Sequence, residues 1–398
     1  MTKNDNDIVL AAPVRTPIGK FLGGLSSLTA PDLGTAAAKA ALERAGLDPK
    51  NVDQVIFGHG RQAGSGPNSG RQVAYRSGVP VDRPAFTVNQ ACASGLQAVL
   101  SAARTILTGE ARVVLAGGME SMSNTPYLLP RARTGYRLGN AEIVDAMYKD
   151  GFNCPLSDLA MGETAEELAQ EVGIDRAASD AYALESQLRC ERARAEGRFD
   201  SEIVPITVPG KKGDVTISKD EHPRDGATLD SMIKLKPVFR ENGVVTAGNA
   251  SGITDGAAAI IVASRVAAME LGLPIVARLS GWHVVGVEPR LMGIGPVPAV
   301  RKLLEKAGLD MGAIDEVEIN EAFAAQVLAC NRELGIGTDL LNPDGGAIAL
   351  GHPIGATGTR ILVTLLHGLE KRGGERGIAT LCVSGGMGIA ALVEREAA

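Results

Sequence analysis

Leu42-Glu43-Arg44-Ala45-Gly46-Leu47-Asp48 (LERAGLD) returns as Leu304-Glu305-Lys306-Ala307-Gly308-Leu309-Asp310 (LEKAGLD), an offset of 304 − 42 = 262 residues. At that same offset VDQVIFG (52–58) faces IDEVEIN (314–320). Further on, ARVVLAGGM (111–119) resembles GIATLCVSGGM (377–387), with the offset drifted to 268 at the glycine pairs. Each copy reads as a helix, a Gly-Leu-Asp turn and a buried strand. Self-similarity at a fixed distance marks an internally duplicated fold. The periodicity agrees. After Cys92, the residues Leu96, Val99, Leu100, Ala103 and Leu107 recur at helical spacing, with Gly109 as a C-cap. A short apolar strand, Val113–Ala116, follows and is closed by Gly117-Gly118. In the second copy Ile361, Leu362, Leu365, Leu366 and Leu369 form a like stripe ahead of a strand over Ile378–Val383. Strands alternating with helices predict an α/β domain, made twice.

Between the copies lies a different region, 122–248, with the loop-like TPYLLPRARTGYRLGN, charged helical segments (Glu163–Val172 and Asp175–Glu196) and a Lys/Gly/Pro-rich stretch. The chain therefore divides into 1–121 with 249–272, an inserted domain over 122–248, and 273–398. Long insertions in compact enzymes often carry binding loops. Lys211, Lys212, Arg224, Lys234 and Lys236 cluster in this one and suit either a solvated face or a phosphorylated ligand. The whole chain, at 40 − 46 = −6, is mildly acidic, which argues against a nucleic-acid clamp. Five cysteines with no CxxC pair argue against structural zinc and redox-motif chemistry, so no metal site is expected. The N-terminus has no apolar run of the kind a signal peptide needs, and no membrane span is visible. A reducing, cytoplasmic setting is the expectation. Glycine is abundant, 49 of 398 residues, and implies close backbone approaches around a ligand.

Cys92 lies between an apolar strand (Ala85–Val88) and the helix just described, among the small residues Ala91, Ala93, Ser94 and Gly95. A cysteine at a helix N-terminus gains from the helix dipole, which predicts a lowered thiol pKa and a nucleophile. The alternative is inert packing. Cys382 ends a strand of the second copy before SGGMG, whose backbone N–H groups suit an oxyanion hole. The two cysteines read as related positions of the two copies, sharing one site across a pseudo-twofold. His352, set among glycines in GGAIALGHPIGATG (345–358), is a candidate base. The other histidines, His59, His222, His283 and His367, read as surface or packing residues. Asn320 sits where Gly58 stands in the first copy and either caps the helix over Ala322–Leu334 or orients a water. Gly58-His59-Gly60-Arg61-Gln62-Ala63 matches a dinucleotide-binding pattern, but GSGPNSG follows where a helix should start, which argues against it.

These segments carry a resemblance to the thiolases, acyltransferases that make or cleave 3-ketoacyl-CoA by Claisen chemistry. It covers essentially the whole chain: IVLAAPVRTPIGKFLGGL (8–25), the Cys92 segment, GGMESMS (117–123), GATLDSM (226–232), TAGNASGITDGAAA (246–259), NEAFAAQ (320–326), GGAIALGHPIGATG (345–358) and LCVSGGMG (381–388). The resemblance implies a five-layered αβαβα fold of two similar halves with an inserted loop domain. It implies that Cys92 takes the acyl group, His352 activates that thiol, and Cys382 is the acid/base. It also implies that Asn320 holds a water which with His352 binds the enolate oxygen. The N–H groups of Cys92 and Ser384 would bind the acyl carbonyl. Arg224, Ser231, Ala247 and Ser251 would contact CoA, and Met161, Met292 and Phe323 would line its path. CoA thioesters are then substrates, no cofactor is needed, and a homotetramer is expected. Three departures stand out. Ser384 replaces a usual glycine, Ala93 stands where glycine is common, and Ala160 replaces the histidine of short-chain acetoacetyl-CoA thiolases. A short-chain acetyl-CoA acetyltransferase is the leading reading. A broader 3-ketoacyl-CoA thiolase with a wider acyl pocket is the alternative, and a non-catalytic acyl-CoA-binding relative a third.

Overall fold

The structure, a computed structural model, describes residue 4 and residues 7–210 and 213–396. Lys211 and Lys212 lie outside the described residues. Nine strands form one continuous hydrogen-bonded path in the order β3 (Ala85–Val88), β2 (Gln54–His59), β4 (Val113–Ser121), β5 (Thr254–Ser264), β1 (Ile8–Arg15), β6 (Ile275–Gly286), β9 (Met387–Arg395), β8 (Arg376–Val383) and β7 (Glu316–Ile319). The order β2-β4-β5-β1 is mirrored as β6-β9-β8-β7. The directions match too. β2–β4 and β7–β8 are parallel, as is the edge pair β3–β2, and the other pairs within each half are antiparallel. At the seam Val9 faces Arg278; Val9 also faces Ala263 in its own half, as Arg278 faces Glu394 in the other. These two residues are therefore equivalents paired across a pseudo-twofold.

Register corrects part of the sequence alignment. Gln54 pairs with Val114 as Glu316 pairs with Gly377, so β4 and β8 align at 377 − 114 = 263, and the matched glycine pairs are not equivalent. Gly117 and Gly118 lie inside β4, which runs on to Ser121, whereas Gly385 and Gly386 form the β8–β9 turn with φ of 88° and 84°. The connection between β4 and β5, residues 122–253, is the long insertion; its counterpart between β8 and β9 is residues 384–386.

The strands alternate their side chains between two faces, and both faces are buried. Val9 and Ala11 of β1 pack against helix α1 (Ala30–Ala45), while Ile8 and Leu10 join a core shared with α3 (Ser94–Leu107) and α8 (Ile354–Arg372). In the other half Ala390 and Leu392 face α6 (Pro296–Ala307), while Ile389 and Ala391 face α3 and α8. Five layers result, with α3 and α8 in the middle. The repeated Gly-Leu-Asp turns explain themselves here. Gly46 and Gly308 end α1 and α6 in the left-handed region, and the N–H groups of Leu47 and Leu309 reach back to Leu42 and Leu304.

The middle helices meet backbone to backbone. A Cβ on Gly358 would lie 2.3 Å from the nitrogen of Leu96, and one on Gly118 would lie 2.2 Å from the carbonyl oxygen of Gly355. Gly118→Ala should therefore lower stability by about 1–3 kcal/mol in urea unfolding and displace the start of α8; unchanged stability would refute this close approach.

The insertion is tied to β1 by Arg15, fully buried, whose guanidinium donates to Glu202 and, in a fork, to both oxygens of Asp220 at 2.7 and 2.9 Å. Its helices α4 (Met161–Val172) and α5 (Arg176–Ala195) pack on α7 (Ala324–Leu334). The dinucleotide-like run ends β2 and is followed by a loop; helix α2 begins only at Ser69, capped by Asn68. Among the described residues no helix is long and apolar enough to cross a membrane.

Candidate active site

The N-termini of α3 and α8 lie side by side, and each is preceded by two residues that lead in from the site. Cys92 and His352 are consequently the equivalents of one another. Cys382, in β8, has Met119 as its counterpart, since 382 − 263 = 119; it is not related to Cys92 as the sequence suggested. Both cysteines and His352 nevertheless line one cavity of about 940 Å³ counted to its mouth. Met161, Ser251, Met292, Phe323 and Ser384 line it as well.

Ala91, immediately before Cys92, has φ of 45°, an unfavourable conformation for a side-chain-bearing residue and a frequent mark of a functional turn. Cys92 is half-buried by the surrounding chain. Burial pushes its thiol pKa up, and the Arg61 charge and the N–H groups of Ser384 and Cys92 only partly offset this. The lowering expected from the helix dipole is thus outweighed by desolvation. Two backbone donors, the N–H groups of Ser384 and Cys92, converge on the Cys92 sulfur. Ser384 supplies one without a left-handed backbone, since Gly385 and Gly386 carry the positive φ values, so its replacement of glycine leaves the donor in place. Ala93 likewise sits at a helical φ of −85° and is buried.

His352 is buried, and burial together with Arg360 and Arg61 lowers its pKa to about 3. The ring is neutral. Its Nδ1 lies 2.6 Å from Thr357 Oγ1, and that hydroxyl donates its only proton to the Pro353 carbonyl. Thr357 must therefore accept from Nδ1–H, which leaves Nε2 as the free base. Asn320 Nδ2 approaches Nε2 at 3.4 Å, while its Oδ1 is buried without a partner. Asn320 does not cap α7, whose N-cap is Phe323.

Cys382 is buried in β8, and desolvation holds its thiol well above the usual range, with Cys92 and Cys330 adding to the effect.

Sequence reading missed the residues that hold these groups. Glu120 is buried at the end of β4 and accepts N–H donors from Gly60, Arg61 and Gly355, joining the loop after β2 to the start of α8. Burial raises its pKa, but His59, Arg61 and the Gly355 N–H outweigh that and leave it lowered. His59, assigned to packing, lies 3.3 Å from it. Glu321 accepts from Tyr182, Ser186, Asn342 and the Ile348 N–H, which fixes the Asn320 turn against the segment leading to His352. The available signal was a carboxylate inside an otherwise apolar run, Glu120 in VVLAGGMES.

Arg224, Ser231 and Ala247 do not line the cavity. Arg224 donates to the Ala247 carbonyl at 3.2 Å, and Ser231 stabilises the short helix Leu229–Ile233, exposed on the inserted region. From Ala247 the chain runs to Ser251, whose N–H donates to the Ala322 carbonyl at 3.0 Å. Ala160 precedes α4 beside the cavity, next to the lining residues Met161 and Gly162.

Comparison with known proteins is consistent along the whole chain. Family profiles described as "Thiolase, N-terminal domain" and "Thiolase, C-terminal domain" match residues 8–266 and 273–395. An acetyl-CoA acetyltransferase of Cupriavidus necator is 50% identical over 391 residues, covering 98% of this chain and 100% of that one. The crystal structure of the Bacillus anthracis acetyl-CoA acetyltransferase superposes with a TM-score of 0.96 at 44% identity, covering 98% and 99% of the two chains. That of human mitochondrial 3-ketoacyl-CoA thiolase gives 0.95 at 43%, covering 98% and 100%.

Proposed function

Since the chain belongs to the thiolase family, we propose that it is an acetyl-CoA C-acyltransferase that cleaves 3-ketoacyl-CoA with CoA and catalyses the reverse condensation. One observation carries this reading: Cys92, His352 and Cys382 share a cavity in which backbone N–H groups converge on the Cys92 sulfur. In cleavage, His352 Nε2 takes the thiol proton and Cys92 attacks the 3-keto carbon. The C2–C3 bond breaks, and its electron pair passes into the enolate of acetyl-CoA. Cys382 protonates that enolate and then takes the proton of the incoming CoA thiol, which displaces the acyl group from Cys92. The leaving Cys92 thiolate recovers its proton from His352.

Once Nε2 has taken the thiol proton, His352 and the amide of Asn320 supply donors toward the enolate oxygen, and the unpartnered Asn320 Oδ1 supports a water held there. The N–H groups of Ser384 and Cys92 serve the other oxyanion. No cofactor enters these steps. The strip from Arg224 through Ala247 to Ser251, with Ser231 beside it, is read as the CoA path into the cavity. The family likeness carries with it a cytoplasmic homotetramer in fatty acid metabolism; exposed Tyr127, Leu129, Leu138 and Ile143 on the inserted region are consistent with contact between subunits. Acetyl-CoA acetyltransferase relatives favour short acyl chains, and the small Ala160 beside the cavity favours a wider range.

The test is CoA-dependent loss of 3-ketoacyl-CoA with acetyl-CoA as product; binding of CoA without turnover would point to a non-catalytic relative instead. Asn320→Ala should lower kcat by about 10²–10³-fold, the usual effect of losing one oxyanion donor, with KM little changed. A KM effect alone would assign Asn320 to ground-state binding.

A further inference from the structure

Arg61 lines the same cavity and is 8% exposed, yet among the described residues its side chain has no hydrogen-bond acceptor. Its Nε is buried without a partner, and among the described residues no carboxylate pairs with its guanidinium. Glu120 lies near enough to be felt electrostatically, but its oxygens are taken up by the N–H groups of Gly60, Arg61 and Gly355 and by His59. The guanidinium is instead held in place by packing. It lies 5.8 Å from the Phe152 ring centre, and a Cβ on Gly151 would come within 2.4 Å of it, so a larger residue there would push the guanidinium aside. Gly151 and Phe152 belong to a single π-type turn, Tyr148–Phe152, a form that concentrates at functional sites. The walls nearby are apolar: Met122, Tyr148, Ile253 and Ile354.

An arginine stays charged at any pH where a protein folds, and a buried charge without a partner is strongly unfavourable. A fixed, planar, five-donor fork facing a cavity next to the nucleophile fits a carboxylate better than any neutral group. We propose that Arg61 receives a carboxylate at the far end of the acyl chain, so that the preferred substrates are 3-ketoacyl-CoA thioesters of dicarboxylic acids. This deepens the thiolase reading and rests on it. The bonds made and broken are those already given, and the distal carboxylate takes no part in them; the products are acetyl-CoA and the CoA monothioester of a shorter dicarboxylic acid.

The alternative anion is the Cys92 thiolate itself, and kinetics separate the two. Purified enzyme is assayed with CoA against 3-oxohexanedioyl-CoA and 3-oxohexanoyl-CoA, and against the corresponding pairs of eight and ten carbons. The wild type should favour the carboxylate member in kcat/KM by about 10²-fold at one or more lengths. Arg61→Leu should bring that ratio close to one, and Arg61→Lys, which keeps the charge but not the fork, should fall between. Preference for the neutral member at every length overturns the proposal, and so does an Arg61→Leu variant that slows both members equally, because the arginine then serves the thiolate. A wild type that cleaves neither class overturns the thiolase reading beneath it.

Discussion

Cys92→Ala should reduce CoA-dependent cleavage of 3-ketoacyl-CoA by about 10⁵-fold or more, as removal of a covalent nucleophile does. Among the described residues that line the cavity, no other group can take over its role. Cys382 lies in the same cavity but is held in a buried strand with its thiol well above the usual range, and no backbone N–H from the β8–β9 turn is directed at it. The two donors that converge at Cys92 would remain without a sulfur to serve. The variant should fold normally, because Cys92 is only half-buried and alanine fits between Ala91 and Ala93. Intact-protein mass after mixing with acyl-CoA gives the second readout: acylated wild type and unmodified variant. An acylated variant would move the nucleophile elsewhere.

His352→Ala is expected to lose about 10²–10⁴-fold in kcat, the range for removing a general base, and to change how rate depends on pH. In the wild type the thiol proton passes to a ring whose pKa is lowered to about 3 by burial and by Arg360 and Arg61, so the base is free across the physiological range. The rate should be level there. Without the ring, the Cys92 proton must go to solvent from a thiol that burial holds above its ordinary value, so the residual rate should climb about tenfold per pH unit through neutrality. A variant with a level profile would show that His352 does not take this proton. Stability carries the opposite sign of test. The folded ring is neutral while the unfolded one titrates at its ordinary value, so between that value and about 3 only the unfolded chain binds the proton. His352 therefore destabilises the fold as pH falls through this window, and the alanine variant should lose less stability there than the wild type.

The duplication was legible because its signature is local. A helix that ends in Gly46 or Gly308 needs a left-handed residue and a returning leucine, and that requirement helps to leave six of seven residues the same in both copies. The glycine pairs were misleading for a physical reason. Gly118 is glycine because α8 touches β4, whereas Gly385 and Gly386 are glycine because a turn needs positive φ; one letter serves two demands. Cys92 was found from its place at a helix N-terminus among small residues and His352 from its glycine-rich surroundings, but their equivalence was not, since it depends on which helix meets which. Glu120, Glu321, Thr357 and Arg61 are invisible as a set. Only folding brings their distant partners into reach: Gly60 and Gly355 stand 60 and 235 residues from Glu120, and Tyr182 stands 139 residues from Glu321. Desolvation is a property of the assembled site, which is why the direction of the Cys92 shift was misjudged from the helix end alone.

One connection occurs twice in this chain and has two opposite forms. Between β8 and β9 three residues suffice, and one of them, Ser384, holds a backbone donor at the Cys92 sulfur. Between β4 and β5 the same link has grown to residues 122–253, which contribute Tyr148, Phe152 and Met161 to the cavity wall. The two forms divide selection pressure. Changes in the short one alter the rate for every substrate at once, whereas changes in the long one can retune which acyl group enters while the reacting atoms stay where they are. Substrate range in such a protein should drift quickly and its chemistry hardly at all.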